Sequence, residues 1–165
     1  MKVGILMGSK SDLEVVKPCI VTLKKFGVEV DARVISAHRT PDAAHEYVKN
    51  AESDGIEVLI GVAGKAAHLA GVMAGYTTLP VIALPVSTKF MGGLDSLLSM
   101  VQMPPDVPVA CVGVDAGKNA AILAVQMLAL AHPELKVALK NFKTEIAQKI
   151  ARDDAELQGM MDEIK

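Results

Sequence analysis

The 165-residue sequence contains no tryptophan, and only 3% of its residues are aromatic. Proteins that bind single-stranded nucleic acid stack bases on aromatic side chains, so this shortage argues against that class and against a stacked flavin. The sequence also lacks an excess of charge of either sign, because it contains 17 Lys and Arg residues and 19 Asp and Glu residues, which gives a net charge of -2. We therefore expect neither duplex nucleic acid nor an anionic membrane as a partner.

Cysteine is scarce as well. Cys19 and Cys111 lie far apart in apolar surroundings, without the CxxC or Cys/His spacing of a redox or zinc site. We expect free thiols and, from them, a reducing, cytoplasmic location. No apolar run reaches the ~20 residues of a membrane span, and the first run ends at Gly8, too early for a signal peptide. The sequence thus predicts an untargeted protein without a membrane anchor.

Three cofactor and metal motifs are missing. The loop after the first apolar run holds one glycine, so it lacks the GxGxxG of dinucleotide-binding proteins, and no GxxxxGK[ST] loop is present for a triphosphate. His45 precedes Glu46, but the HExxH zinc site would need a histidine where Lys49 stands. We therefore expect no metal and no cofactor.

Apolar runs alternate with stretches of helical periodicity five times along the chain. The predicted strands cover residues 3–7, 28–35, 57–63, 80–84 and 107–114. The predicted helices cover residues 13–26, 41–53, 66–76, 94–103 and 119–131. Unbroken Val, Ile and Leu runs are typical of strands buried on both faces of a parallel sheet. The sequence therefore predicts an α/β fold, a three-layer α/β/α sandwich with a flavodoxin-like or Rossmann-like sheet of about five strands.

A sixth helix is predicted after this alternation. The apolar residues Leu135, Leu139, Phe142, Ile146 and Ile150 recur at helical spacing with lysines and a glutamate between them. We expect one domain over residues 1–165, made of a sandwich (1–132) and a C-terminal helical extension (133–165). The apolar stripe must pack on another surface, either the chain's own or a neighbour's.

The first and second helices carry specific start signals. Asp12 is placed to cap the first helix, and Pro41 stands at the first position of the second. Pro18 falls inside the first helix, where it removes a backbone hydrogen bond. We therefore expect a bend or a late start in that helix.

Three loops are candidates for a binding site, because ligands of parallel α/β sheets bind where strands end and helices begin. They are GSKSD (residues 8–12), SAHRTP (36–41) and AGKAAH (63–68). Backbone donors of the first loop and the fork of Arg39 suit a phosphate, and Asp12 suits both hydroxyls of a ribose. For the first loop alone, helix capping explains the residues equally well, and His68 could be a core histidine. Together the loops predict a sugar-phosphate site.

The three loops, followed by LPVIALPV and GLDSLLSMVQMP, resemble the PurE family of purine biosynthesis over residues 3–131. The resemblance implies an enzyme without cofactor or metal, whose substrate is a ribonucleotide monophosphate. Its implied reaction moves the carboxylate of N5-carboxyaminoimidazole ribonucleotide from the exocyclic nitrogen to carbon 4 of the imidazole. The resemblance also implies a homo-octamer with sites at subunit contacts.

The resemblance implies roles for the residues of the first two loops. Ser9, Asp12 and Arg39 align with residues that hold the ribose phosphate. His38 aligns with the catalytic histidine, which suits removal of the proton from carbon 4 because imidazole exchanges protons near neutral pH.

The third loop carries further implied roles and two departures. Gly64 and His68 align with a loop that closes over the imidazole and its carboxylate, and Ser36 borders the same pocket. We expect His68 to support catalysis. Lys65 stands where glycine is common in the family, and Ala70 stands where proline is common. The third loop is therefore expected to differ in shape.

Two alternatives stay open at this point. One is a sister branch of the family, which carboxylates aminoimidazole ribonucleotide directly with carbon dioxide and tends to carry the motifs SAHKT and AGRSN. Arg39 and the AAHL segment of this sequence instead favour the branch that moves the carboxylate, the mutases. The other alternative is a non-catalytic nucleotide-binding or flavin-binding module on the same sheet.

Overall fold

The computed structural model describes residues 1–164, which form one parallel sheet with helices on both sides. The strands are β1 (Lys2–Met7), β2 (Glu29–Val34), β3 (Val58–Gly64), β4 (Val81–Val86) and β5 (Ala110–Cys111). The helices are α1 (Leu13–Lys25), α2 (Pro41–Asn50), α3 (Leu69–Ala74), α4 (Leu94–Val101), α5 (Gly117–Leu128) and α6 (Pro133–Glu163). Short 3-10 turns, Lys10–Asp12 and Met91–Gly93, precede α1 and α4.

The strand order is β2-β1-β3-β4-β5, and every neighbouring pair is parallel. The chain therefore starts in the middle of the sheet, builds one side with β2 and then crosses to the other side with β3. Such a reversal places the loops after β1 and β3 at a switch point, where parallel α/β sheets bind their ligands.

Two apolar layers hold the helices on the sheet. On one face, α1 and α5 pack against fully buried residues such as Val3 and Ile5 of β1. On the other face, α2, α3 and α4 surround Leu6 and Leu59, which are also fully buried. Because successive side chains of a strand point to opposite faces, one unbroken apolar run supplies both layers. The predicted three-layer sandwich is confirmed.

The first helix has nearly its predicted bounds. It begins at Leu13 and continues through Pro18, so of the expected bend or late start, the late start is wrong. The proline nitrogen cannot donate to the carbonyl of Glu14, but both residues lie on the exposed side of α1, where water can hydrate that carbonyl. One turn later the hydroxyl of Thr22 donates to the Pro18 carbonyl at 2.7 Å.

Two other elements are shorter than predicted. The last strand pairs with β4 only at Ala110 and Cys111, because it lies at the sheet edge and Pro108 has no N–H to extend the ladder. The third helix begins at Leu69 rather than at residue 66, because Lys65 adopts a left-handed conformation (φ 62°) and the chain bends at residues 65 and 66 before an irregular segment. The chain thus leaves β3 through a loop that the helical periodicity of the sequence did not predict.

The C-terminal helix α6 extends over 31 residues, close to the predicted extension, whose last residue, Lys165, lies outside the described residues. Its first half packs on the domain through buried Leu135 and through Phe142, whose ring meets Phe26 edge-on at 5.5 Å. Farther along, Ile150 is 60% exposed. The second half of the apolar stripe is therefore not covered by any part of residues 1–164. No helix of residues 1–164 is long and apolar enough to cross a membrane.

Candidate active site

The first loop folds back on itself through its own polar groups. The Ser9 amide donates to the Asp12 carboxylate at 3.1 Å, while the Ser11 amide and hydroxyl donate to the Ser9 hydroxyl oxygen at 3.3 and 2.9 Å. Burial raises the pKa of Asp12, against the lowering effects of the Ser9 and Ser11 hydrogen bonds and the positive charge of Arg39. The predicted capping of α1 by Asp12 is wrong, because the carboxylate makes no hydrogen bond to that helix.

The second loop is tied to the first by a guanidinium. Nη2 of Arg39 donates to the Gly8 carbonyl, and its Nε donates to the Ser36 hydroxyl at 3.3 Å. Ser36 is itself fixed, since its amide donates to the Thr40 hydroxyl oxygen at 3.1 Å. The neighbouring His38 is exposed, and no described residue hydrogen-bonds its ring. Its nitrogens are therefore available to a ligand.

The third loop separates its two polar residues. Lys65 is exposed at the mouth of the site, whereas the His68 ring packs against Gly71, where an added Cβ would overlap it. Nε2 of His68 lies 2.8 Å from the sulfur of Met103, and the buried Nδ1 has no partner among the described residues. Burial accordingly lowers the pKa of His68. This environment favours the neutral form of the imidazole.

A fourth loop, which the sequence motifs did not single out, follows β4. The Ser87 amide donates to the Asp115 carboxylate at 2.8 Å, and the Thr88 hydroxyl lies 2.9 Å from the Asp95 carboxylate. Lys89 follows on the same loop and is exposed. The signal was present in the sequence, since the rule that selected the first three strand ends applies equally to β4.

These four loops enclose an open cleft of about 1040 Å³. Its lining residues are Gly8, Ser9, Ser11, Asp12, Ser36, His38, Arg39, Ala63, Gly64, Lys65, Ala66, Ala67, Val86, Ser87, Thr88, Lys89, Phe90 and Asp95. Six of the seven predicted site residues are among them. The exception is His68, which lies behind the wall formed by its own loop.

The cleft is suited to an anionic, partly apolar ligand. Arg39 and two lysines bring positive charge, Asp12 offers an acceptor for hydroxyl groups, and the alanines of the third loop provide an apolar surface. Within residues 1–164, no group of three or more His, Cys, Asp or Glu side chains is placed to bind a metal ion. The described residues of the cleft can therefore act on a ligand through hydrogen bonds, through charge and through the accessible imidazole of His38.

Comparison with known proteins identifies relatives that span nearly the whole chain. The profile of the AIR carboxylase family matches residues 2–149. The chain belongs to the AIR carboxylase family. It is 54% identical to an N5-carboxyaminoimidazole ribonucleotide mutase of Pyrococcus abyssi over 88% of this chain and 83% of the relative. It is 46% identical to the mutase of Mycobacterium tuberculosis over 96% of this chain and 91% of that one.

Solved structures of the AIR carboxylase family agree in fold. The crystal structure of Treponema denticola PurE superposes with a TM-score of 0.86 at 34% identity, covering 94% of this chain and 98% of that one. The resemblance predicted from the loop motifs is confirmed by these matches.

Proposed function

We propose that the protein is an N5-carboxyaminoimidazole ribonucleotide mutase, an isomerase of purine biosynthesis. The observation that carries the proposal is the convergence of His38, Arg39, Ser9 and Asp12 on one cleft in a chain of this family. The names of the similar proteins support the mutase reaction over a non-catalytic binding module.

Binding is assigned to the first two loops. The phosphate of the ribonucleotide accepts hydrogen bonds from the Ser9 region and from Arg39, whose guanidinium is already oriented by Gly8 and Ser36. The ribose hydroxyls donate to Asp12. Gly64 and Ser36 border the space left for the imidazole, where a residue without a side chain allows close approach of the ring.

The reaction needs one proton carrier and a closed space. The C–N bond of the carbamate breaks, its electron pair returns to the exocyclic nitrogen, and that nitrogen takes a proton from the imidazolium of His38. Carbon 4 then attacks the released carbon dioxide and forms the new C–C bond. The neutral His38 removes the proton from carbon 4, which restores the aromatic ring and the imidazolium. Retention of carbon dioxide beside carbon 4 makes the second step effectively intramolecular.

His68 has a supporting role in this proposal. Its ring does not line the cleft and packs against Gly71 and Met103, so it acts by shaping the third loop rather than by touching the substrate. His68 is therefore proposed as a residue that positions the third loop and not as a second catalytic group.

A substitution of His38 tests the assignment of the proton carrier. A positioned general acid/base contributes about 10²- to 10⁴-fold, so His38→Asn should lower kcat by that factor while KM stays within about threefold. His45→Asn is the matched control, because His45 is exposed on α2 and stacks on Tyr76 away from the cleft. Near-normal kcat in His38→Asn, with loss in His68→Asn, would transfer the role to His68.

A substrate comparison distinguishes the mutase from the carboxylase branch. Turnover of N5-carboxyaminoimidazole ribonucleotide is expected, with little product from aminoimidazole ribonucleotide plus bicarbonate. Arg39 in SAHRTP supports this choice. The reverse preference would assign the chain to the carboxylase branch.

The proposal includes a homo-octamer. Its support is apolar surface that the single chain leaves uncovered, on the loop and helix after β4 (Phe90, Met91 and Leu98) and on the second half of α6. Light scattering should give the mass of eight chains, and a stable, active monomer would contradict this. A cytoplasmic location is also proposed, supported by the free Cys19 and Cys111, and cell fractionation tests it.

A further inference from the structure

Lys65 occupies a backbone conformation that favours glycine. Its φ is 62°, and a residue with a Cβ adopts this left-handed region only at a cost in free energy. Asp115, another non-glycine residue with positive φ, accepts a hydrogen bond from Ser87 across the loops. No described residue forms a hydrogen bond or ion pair with the Lys65 ammonium. Met91 and Asp106 also have a positive φ, but of these four described residues Lys65 is the one that lines the cleft, where its unpaired ammonium is available to a ligand.

The strand order places the positive charges of the cleft at two separate poles. Arg39 follows β2 and reaches Gly8 after β1, while Lys65 follows β3 and Lys89 follows β4. Neighbouring strands lie about 4.8 Å apart, so the loops after β2 and β3, which have β1 between them, are separated by about 10 Å. Arg39 marks one pole of the cleft, and Lys65 with Lys89 marks the other.

Two carboxylates line the cleft, one near Arg39 and one near the loop after β4. Asp12 lies on the β1 loop beside the Arg39 charge, and Asp95 lies beyond β4, where its carboxylate is 2.9 Å from the Thr88 hydroxyl. Neither carboxylate pairs with Lys65. A ligand with one anionic group at each end, about 10 Å apart, matches the two poles.

We propose that Lys65 binds the carboxylate of the substrate and selects carboxylated ribonucleotides over uncarboxylated ones. The inference rests on the proposed function, which puts the phosphate at the Arg39 pole and leaves the carboxylate for the opposite pole. An ammonium with three donors suits a carboxylate that changes its point of attachment during the reaction, because it acts as a point charge rather than a fixed fork. Lys65 is thus a specificity-determining residue that acts through binding.

Equilibrium binding to two ligands tests the proposal. One is 4-carboxy-5-aminoimidazole ribonucleotide, and the other is 5-aminoimidazole ribonucleotide, which differs only by lacking the carboxylate. Loss of one solvent-accessible ion pair should weaken binding of the carboxylated ligand by about three- to tenfold in Lys65→Gln, with less than about twofold change for the other ligand. Lys49→Gln is the control, because Lys49 is exposed on α2 outside the cleft.

Lys65→Gly separates binding from strain. Glycine adopts φ 62° without a Cβ penalty, so this variant should have a higher melting temperature and yet show the same selective loss of affinity. A purely structural role of Lys65 would not move stability and affinity in opposite directions.

The outcomes also separate this proposal from the proposed function. Equal loss for both ligands, or no loss for either, would overturn the role of Lys65 whether or not the enzyme turns over. Absence of mutase turnover in the wild type, with carboxylate selection still dependent on Lys65, would instead remove the proposed reaction and retain the binding role.

Discussion

Arg39→Lys is the most informative single substitution, because Arg39 joins two loops and also lines the cleft. Its Nη2 donates to the Gly8 carbonyl and its Nε donates to Ser36, which leaves further N–H groups free for a phosphate. A lysine carries the same charge on one nitrogen and cannot serve both loops and a bidentate ligand together. The variant therefore keeps the charge and loses the geometry.

The expected magnitude follows from the hydrogen bonds that the substitution removes. One loop hydrogen bond and one arm of the phosphate fork disappear. Each is worth about 1 kcal/mol, below the usual value for charged groups, because Arg39 is solvent-exposed. A total of about 2 kcal/mol corresponds to roughly a 30-fold fall in kcat/KM. The loss should appear in KM, because the phosphate is bound equally in the ground state and the transition state.

Steady-state kinetics with N5-carboxyaminoimidazole ribonucleotide measures both constants. Arg33→Lys is the matched control, since Arg33 is an exposed arginine of β2 that pairs with Asp31 and does not line the cleft. A fall in kcat at unchanged KM would refute the reasoning and place Arg39 in the chemical step. An equal effect in Arg33→Lys would mean that general charge, not the fork, sets KM.

Three further predictions concern metal ions, acidity and thiol reactivity. Activity should survive EDTA, and a loss restored by zinc or magnesium would contradict the expected absence of a metal requirement. Burial raises the pKa of Asp12, so its ionised form destabilises the native state as pH rises through that pKa. Asp12→Asn should therefore raise the melting temperature at pH 7 and lose this advantage below about pH 4. An equal gain in melting temperature at both pH values would contradict the predicted direction of the pKa shift. Burial raises the pKa of both thiols, that of Cys19 to about 12, but Cys19 is fully buried and Cys111 only half-buried. A thiol reagent should therefore modify only Cys111 in the native protein, and two reactive thiols before unfolding would show this prediction to be wrong.

The central strands and the first two loops were predictable because their determinants are local. A run such as Val3 to Met7 can be buried only between two layers of helices, and a strand end followed by a helix start locates a loop without reference to the rest of the fold. Ser9, Asp12 and Arg39 were found by this rule, and the structure places them on one cleft. Family resemblance then supplied the reaction, which local chemistry alone does not specify.

The misjudged parts depend on contacts between distant segments. The length of β5 is limited by its position at the sheet edge, and the direction of His68 is set by Gly71 and by Met103, 35 residues away. Helical periodicity cannot detect that Lys65 turns the chain out of the pattern before Leu69. The sequence by itself determined the order of strands and helices and the chemical inventory of the loops, because burial and turn propensities act within a few residues. Only the tertiary structure decided which loops face each other, since strand order brings the loop after β4 and its Lys89 to the same cleft as Arg39.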